Sequence, residues 1–409
     1  MTKTTAKTVI MALIVTWSGF AAAQSSVTLY GVIDYGINFV NNAQTPSTGA
    51  NGRTGGKQWN TSSSIMRGNR FGFKGNEDLG GGYKALFVLE NGFDVGTGKF
   101  QQGGTFFGRQ AYVGLSNGYG SLTFGRQYDE MVDYLGLLQG SPGVGAFGDH
   151  PGDADNTGND WRVNNSVKFT SQNYNGFQFS ALYGFGGTAG NFANNSVRSF
   201  GASYAYGGLV VAAAYLNVNN PNQSFYGNNQ NSSATGNNLG AVTGVTSNPI
   251  IAGFASARTL ETYGAAARYS TGGLLFGLQY TNIKFKNLNN PESGSLTLTN
   301  PLGYSGSTHF DNYNAYATYY VTPSLSLNIS YDFLIGGRID NKGQASYNML
   351  NAAVQYFLSK RTLVYVVASG QKASGTDSTG QAAVASMEAV TPSNSNRQIV
   401  VRVGISHSF

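Results

Sequence analysis

Leu325-Ser326-Leu327-Asn328-Ile329-Ser330-Tyr331-Asp332-Phe333 alternates without a break: the odd positions are large and apolar, the even ones small or polar. Successive side chains of a strand point to opposite faces, so this run has one oily face and one wet face. Phe177-Gln178-Phe179-Ser180-Ala181-Leu182-Tyr183 repeats the pattern with one apolar residue on the polar side. Period two alone does not say whether the oily face meets a protein core or lipid.

The connections decide. Short polar turns recur between the alternating segments: Asp78-Leu79-Gly80-Gly81, Asn117-Gly118-Tyr119-Gly120, Asn173-Tyr174-Asn175-Gly176, Gly207-Gly208, Thr271-Gly272-Gly273, Thr322-Pro323-Ser324 and Ser359-Lys360-Arg361. This is hairpin turn chemistry. Between them lie much longer segments rich in Asn, Gly and Ser: Asn41 to Ser62, Asn217 to Ala257, Asn287 to Phe310 and Lys372 to Ser395. Short turns on one side and long loops on the other is the arrangement of a transmembrane barrel, and a soluble sandwich has no reason to segregate its connections so. About sixteen segments pass both tests. The expected fold is therefore all-β, a sixteen-stranded antiparallel transmembrane barrel with short periplasmic turns and long extracellular loops. An even count returns the C-terminus beside the first strand, closing the sheet so that no backbone group stays unpaired in lipid.

Composition agrees. Of 409 residues, 11% are charged, less than half the usual share for a globular protein, while 41% are hydrophobic and Gly, Tyr and Phe number 57, 25 and 25. Mean hydropathy is −0.20, too polar for a helical membrane protein, and no run of about 20 apolar residues follows the N-terminus. Polar on average yet apolar at every second position is what a barrel needs. The absence of cysteine excludes thiolate metal sites, disulfide scaffolds and cysteine nucleophiles. Lys3 and Lys7, the apolar stretch Val9 to Phe20 and Ala21-Ala22-Ala23 read as a cleaved signal over residues 1–23, leaving 24–409 as the barrel. Cleavage removes two lysines and no acid, lowering the net charge of +6 by two. So mild an excess gives no reason to expect a nucleic-acid partner.

Ser25-Ser26-Val27-Thr28-Leu29-Tyr30-Gly31-Val32-Ile33-Asp34 resembles the first strand of Gram-negative general porins of the betaproteobacterial type. Arg70-Phe71-Gly72-Phe73-Lys74-Gly75-Asn76-Glu77-Asp78-Leu79-Gly80-Gly81-Gly82 is similar to their second strand and first turn. The likeness continues through Phe107-Gly108-Arg109-Gln110-Ala111-Tyr112-Val113-Gly114-Leu115, Phe124-Gly125-Arg126-Gln127-Tyr128-Asp129 and Asn164-Asn165-Ser166-Val167-Lys168-Phe169, and ends on Val403-Gly404-Ile405-Ser406-His407-Ser408-Phe409. It implies a homotrimer with one pore per subunit, a third long loop folded into each barrel, and Phe409 as a barrel-assembly signal. The partners it implies are outer-membrane lipid and lipopolysaccharide, the barrel-assembly machinery, and the small hydrophilic solutes and inorganic ions that diffuse through.

A diffusion pore selects by width and by the charge at its narrowest point. Strand parity places charges. Phe71 and Phe73 outward put Arg70 and Lys74 in the lumen. Val167 and Phe169 outward put Ser166, Lys168 and, if the strand stays regular that far, Arg162 inward. Tyr112 outward puts Arg109 inward. Arg402 falls opposite Val401 and Val403 and, with Asp34, is expected to line the pore. The resemblance likewise implies an arginine cluster on the wall at Arg70, Arg109 and Arg162. Arg126 shares the parity of Leu122 and Phe124, so either the strand ends or bulges there, or Arg126 meets a neighbouring subunit, which the family favours.

Tyr128 to Asp160 is the expected inward loop. Its tip, Leu137 to Gly148, carries no acid; Asp129, Glu130 and Asp133 precede it, and Asp149, Asp153, Asp155 and Asp160 follow. Such a tip facing basic residues predicts a positive constriction and anion preference, unless Asp149 or Asp153 reaches the opening. Asp129, Asp133, Asp149 and Asp153 are the candidate loop acids.

No catalytic constellation is evident. His150, His309 and His407 have no metal-ligand spacing, and His150, in the inward loop, reads as solvated. No cofactor or metal is expected. A substrate-specific channel, marked by an aromatic track such as Tyr30, Tyr316 and Tyr320, and a soluble exported binding module are the competing readings.

Overall fold

Each alternating segment forms a strand. Ser26–Gln44 (β1), Gly55–Ser63 (β2), Arg70–Gly80 (β3), Tyr83–Gly92 (β4), Gln110–Asn117 (β5), Gly120–Gln127 (β6), Val163–Ser171 (β7), Phe177–Gly184 (β8) and Val197–Tyr206 (β9) make up one side. Leu209–Asn219 (β10), Ala257–Thr271 (β11), Leu274–Leu288 (β12), Gly306–Thr322 (β13), Leu325–Gly336 (β14), Ala345–Phe357 (β15), Thr362–Gly375 (β16) and Arg397–Ser408 (β17) complete it. The computed structural model describes residues 26–45, 54–224, 226–227, 238–240, 248–289, 303–340 and 345–409; the expected signal, 1–23, lies outside the described residues.

Every strand pairs antiparallel with its neighbour, and β17 pairs back onto β1, with Asn38 opposite Arg402, so the sheet is closed. Seventeen segments make sixteen staves. β3 pairs with Ser26 to Val32 of β1 and β2 with Tyr35 to Gln44 of the same strand, so β2 and β3 are one stave interrupted at residues 64–69. Part of what the sequence suggests is loop is strand: β1 runs to Gln44, β2 starts at Gly55, and β12 and β13 reach Leu288 and Gly306. Strands of 15 to 19 residues exceed the roughly 10 a membrane needs. Above the hydrocarbon, outward side chains need not be apolar, so the ladder continues there without the alternation that makes a strand legible.

Exposure along β14 runs opposite to that of a soluble protein. Leu327, Ile329 and Tyr331 are 44–51% exposed, whereas Ser330 and Asp332 on the other face are 1% and 0%. The oily face looks outward and the wet face is covered from within. Residues 128–162, the third loop, do much of the covering. Met131, Tyr134, Leu135 and Leu138 pack with Leu216, Leu260 and Ile283 of the wall and with Ile250, Ile251 and Phe254 of the fifth loop, which joins β10 to β11. Further along, Val144 and Phe147 pack with Met349, Tyr365 and Val400, and with Met387 of the loop after β16. Polar bonds fix the same docking: Gly140 N donates to Asn314 Oδ1 (3.1 Å), Gln355 Nε2 to Gly143 O (2.8 Å) and Ala146 N to Ile65 O (2.7 Å). The loop thus lies against β10 to β17 and leaves open space on the side of β2 to β7.

The seam closes through the last residue. Gly31 N donates to Phe409 O (3.1 Å), and Phe409 N to Gly31 O (3.0 Å). A Cβ on Gly31 would lie 2.3 Å from the Phe409 ring and 2.7 Å from Arg70 O. The ring can swing away; the carbonyl belongs to the neighbouring stave and cannot. Gly31→Val is therefore expected to destabilise closure by about 1–3 kcal/mol, lowering the temperature at which the folded protein converts to the unfolded monomer band on gels. An unchanged conversion temperature would show that the seam tolerates the bulk.

Candidate functional site

The open space is a cavity of about 740 Å³, walled on one side by Arg67, Arg70, Arg109 and Arg162 and on the other by third-loop residues that include Asp149 and Asp160. Arg70 begins β3, and its neighbours Phe71 and Phe73 face outward as parity requires. Its Nη1 donates to Gly68 O (2.9 Å), and its Nε stands 3.7 Å from Glu90 Oε2. Arg109 Nε donates to Glu90 Oε1 (2.8 Å), and its Nη2 donates to Tyr128 OH (2.9 Å). The guanidinium groups of Arg109 and Arg162 both lie over the Tyr128 ring, 5.9 and 5.6 Å from its centre. Tyr30 OH donates to the other Glu90 oxygen, Oε2 (3.0 Å). Arg70 on β3 and Arg109 just before β5 thus share the Glu90 carboxylate, and Arg162, at the end of the third loop, joins Arg109 over the Tyr128 ring.

Two parity arguments need correction. Tyr112 does not face outward: Val113 and Leu115 are the exposed residues of β5, and Tyr112 lies among Asp133, Lys168, Glu90 and Tyr128. Arg109 reaches the lumen because β5 begins only at Gln110, so the residue before it is free of strand alternation. The regularity required for Arg162 also fails. The β6–β7 register shifts between Gly125 and Gln127, Asn165 has a φ of 50°, and β7 begins after Arg162. Arg162 is held from the loop instead, its Nη1 donating to Asp160 O (2.8 Å).

Other expected residues lie elsewhere. Lys74 sits over the Tyr30 ring, 5.3 Å from its centre, and borders a separate cavity with Lys84. Lys168 is not a free wall charge: it pairs with Asp133 and Glu130 and donates to Tyr128 O (3.0 Å), tying the root of the third loop to β7. Asp34 and Arg402 face inward but do not line the pore, since both are fully buried. Arg402 Nη2 is 3.2 Å from Asp34 Oδ1, and Tyr365 OH donates to Asp34 Oδ2 (2.9 Å). Ile65 N and Met66 N donate to Asp34 Oδ1 (3.0 and 3.2 Å), so the break between β2 and β3 folds over the pair and seals it. Arg126 sits at the β6 bulge. Its guanidinium turns to groups of its own chain, donating to Gly108 O (2.8 Å), Gly227 O (3.0 Å) and Asn164 Oδ1.

Among the loop acids, Asp149 lines the cavity. Asp129 is buried, accepting from Met131 N (2.9 Å) and Asn156 Nδ2 (2.6 Å), and so joins the two ends of the loop. Asp153 is buried too, accepting from Gly158 N (2.7 Å) and Asp160 N (3.0 Å). Both stabilise turns rather than meeting the opening. Asp160, a flanking acid of the loop outside the four candidates, also borders the cavity, as does Glu388, which sequence reasoning missed. Glu388 comes from the loop 376–396, whose Val384, Ala385 and Met387 are buried; that apolar run inside a polar loop was the available signal. Burial pushes Asp149 up to about 7 and raises Asp160 despite Arg162. The Asp160 charge, then burial, hold Glu388 well above its ordinary value. Near neutrality Asp149 is therefore only partly ionised, and the cavity sets its carboxylates against four guanidiniums.

His150 is not solvated. It is 1% exposed, with Nδ1 2.6 Å from Asp155 Oδ2 and Nε2 3.5 Å from Asp332 Oδ1 of β14. Burial disfavours its cation, but Asp155 and Asp332 outweigh this and push it up to about 9. A charged imidazole between two carboxylates thus pins the third loop to the wall. Among the described residues no group of three or more His, Cys, Asp or Glu is arranged to hold a metal ion.

A family profile described as Gram-negative porin matches residues 6–376. An outer membrane porin protein of Bordetella pertussis is 36% identical over 234 residues, covering 53% of this chain and 60% of that protein, so the match spans less than two thirds of the relative's length. The solved anion-selective porin from Comamonas acidovorans has a TM-score of 0.69 at 20% identity, covering 94% of this chain and 100% of that one. OmpT of Vibrio cholerae in its trimer form gives 0.60 at 15% identity, covering 94% and 99%.

Proposed function

The chain belongs to the Gram-negative porin family, and from that premise we propose that this outer-membrane barrel is a diffusion channel for small hydrophilic solutes and ions that prefers anions. One observation carries the reading: Arg70, Arg109 and Arg162 converge on one wall of an open cavity whose opposite wall is the inward-folded loop. Fixed positive charge at a narrow aqueous passage raises the local anion concentration and repels cations. The anion-selective porin with the same fold supports the sign, and the trimer form of a second neighbour supports a homotrimer. The channel has no catalytic chemistry of its own and needs no cofactor. Residues 1–23 serve as its cleaved signal, and the terminal Phe409 strand is what the assembly machinery reads. Outer-membrane lipid and lipopolysaccharide surround it.

Zero-current potentials across planar bilayers in a salt gradient test this. Potentials of the anion-permeable sign are expected, largest in acid. As pH rises through about 7, Asp149 ionises and adds a negative charge to the cavity, so anion preference should fall. A cation-permeable sign at pH 6, or purified trimers that pass no current, would refute the proposal.

A further inference from the structure

The outer surface is not evenly convex. On the membrane face of β8 to β14 lies an open, almost wholly apolar recess of about 790 Å³. Its floor is made of small side chains: Ala213 stands between Ala202 and Ala265 across the ladder, with Ala267 one row lower. Large rings form the walls, Tyr280 and Tyr313 on one side and Phe177 and Tyr204 on the other. Tyrosine hydroxyls reaching up from this row and from the next above it mark the depth. Tyr215 OH donates to Glu261 Oε2 (3.1 Å) and Tyr280 OH to Asp311 Oδ1 (2.7 Å). Tyrosines with apolar bodies and hydroxyls on charged groups belong at a membrane interface, here the one on the long-loop side. Still higher, the outward positions Arg198, Asn217, Glu261 and Lys284 stand side by side on β9 to β12. Lys286 pairs with Glu261, whereas Lys284 lies over the Tyr263 ring, 5.3 Å from its centre. Arg198 and Lys284 are three strand spacings apart, about 14 Å, and six residues, about 20 Å of strand, lead from Lys284 down to Leu278 in the recess.

We propose that this face is a binding site for a disaccharide glycolipid of the outer leaflet that is phosphorylated at both ends and multiply acylated. One phosphate is held at Arg198 and the other at Lys284, and an acyl chain runs between the tyrosines onto the alanine floor. The charge pattern favours this occupant. Three cations (Arg198, Lys284 and Lys286) face outward at headgroup level against Glu261 and Asp311, with spacing for a doubly charged rigid headgroup. A groove floored by methyl groups and walled by rings is shaped for a slender chain rather than for a flat protein surface. The site rests on the outer-membrane location and is independent of the ion preference inside the barrel.

The test uses delipidated trimers in detergent and native mass spectrometry, with bisphosphorylated lipid A, its monophosphorylated form and phosphatidylethanolamine as probes. Wild type should hold the bisphosphorylated lipid roughly tenfold more tightly than the monophosphorylated one, since each basic side chain contributes separately at the surface. Arg198→Gln with Lys284→Gln should abolish that difference, and Ala265→Phe should remove retention of both glycolipids. Single-channel conductance of the same preparations should stay at the wild-type level, which separates loss of the lipid site from loss of the channel. Equal retention of the two glycolipids by wild type, an undiminished preference in the double variant, or this face buried by a second copy of the barrel would each overturn the proposal. If Ala265→Phe does not insert, the double variant alone decides.

Discussion

Exchanging Arg70 and Arg109 together for glutamate is expected to turn an anion-preferring channel into a cation-preferring one. Each exchange alters the wall by two charges, and a mobile ion passing within about 5 Å of a unit charge feels roughly 1 kcal/mol even at the dielectric constant of water. Four units acting oppositely on anions and cations should move the permeability ratio by well over about tenfold. The surroundings reinforce the effect. Glu90 now balances Arg109 at 2.8 Å; with that partner gone it joins the new carboxylates as an unneutralised charge. Arg70→Lys with Arg109→Lys keeps the charge and should keep the sign of the zero-current potential. A glutamate variant with normal conductance and an unmoved potential would remove these residues from the selectivity site.

His150→Ala should loosen the third loop from the wall. Removing the imidazole leaves Asp155 and Asp332 facing each other without the cation between them, and uncompensated buried charges of this kind destabilise by about 3–5 kcal/mol. The measurable results are a lower unfolding temperature in detergent and proteolytic cleavage within the loop. The sign of the pH dependence follows from the same contact. His150 is raised in the folded protein to about 9, so its contribution is complete below the ordinary histidine value near 6.5 and disappears as pH climbs through about 9. The raised Asp149 acts in the same direction at lower pH, its contribution fading from the ordinary Asp value near 3.8 up to about 7. Between about pH 6.5 and 9 the loss of thermal stability in wild type should therefore come from His150 and be shallower in His150→Ala. Identical slopes would mean that the imidazole carries no charge where it sits.

The barrel was legible because lipid imposes its own grammar: wherever a strand crosses hydrocarbon, one face must be apolar, and Leu325 to Phe333 shows it residue by residue. Legibility stopped where that constraint stops. β2 lies inside a polar Asn- and Gly-rich segment because its outward residues, including Trp59 at 72% exposure, stand above the oily layer. Arg109 was assigned to the correct side for the wrong reason, since parity cannot describe a residue that precedes its strand. Arg162 is likewise positioned by a loop and a bulge. Glu90 reaches Arg70 and Arg109 sideways across neighbouring strands, and Glu388 enters from a loop near the far end of the chain; periodicity along one strand registers neither. The Asp34–Arg402 pair was read as channel lining because alternation gives a direction, whereas burial depends on what the break at residues 64–69 folds over.

The loop after β16 turns Met387 and its neighbours down into the barrel against Val144 and Phe147, while Ser378 N donates to Pro249 O (3.0 Å) and Gly253 N to Ser378 Oγ (3.0 Å) in the fifth loop. Two polar outer loops, distant in sequence, are thereby parts of one cavity wall. A change of length or charge in either would therefore shift the lining of the passage together with the outer rim, so the two cannot vary independently.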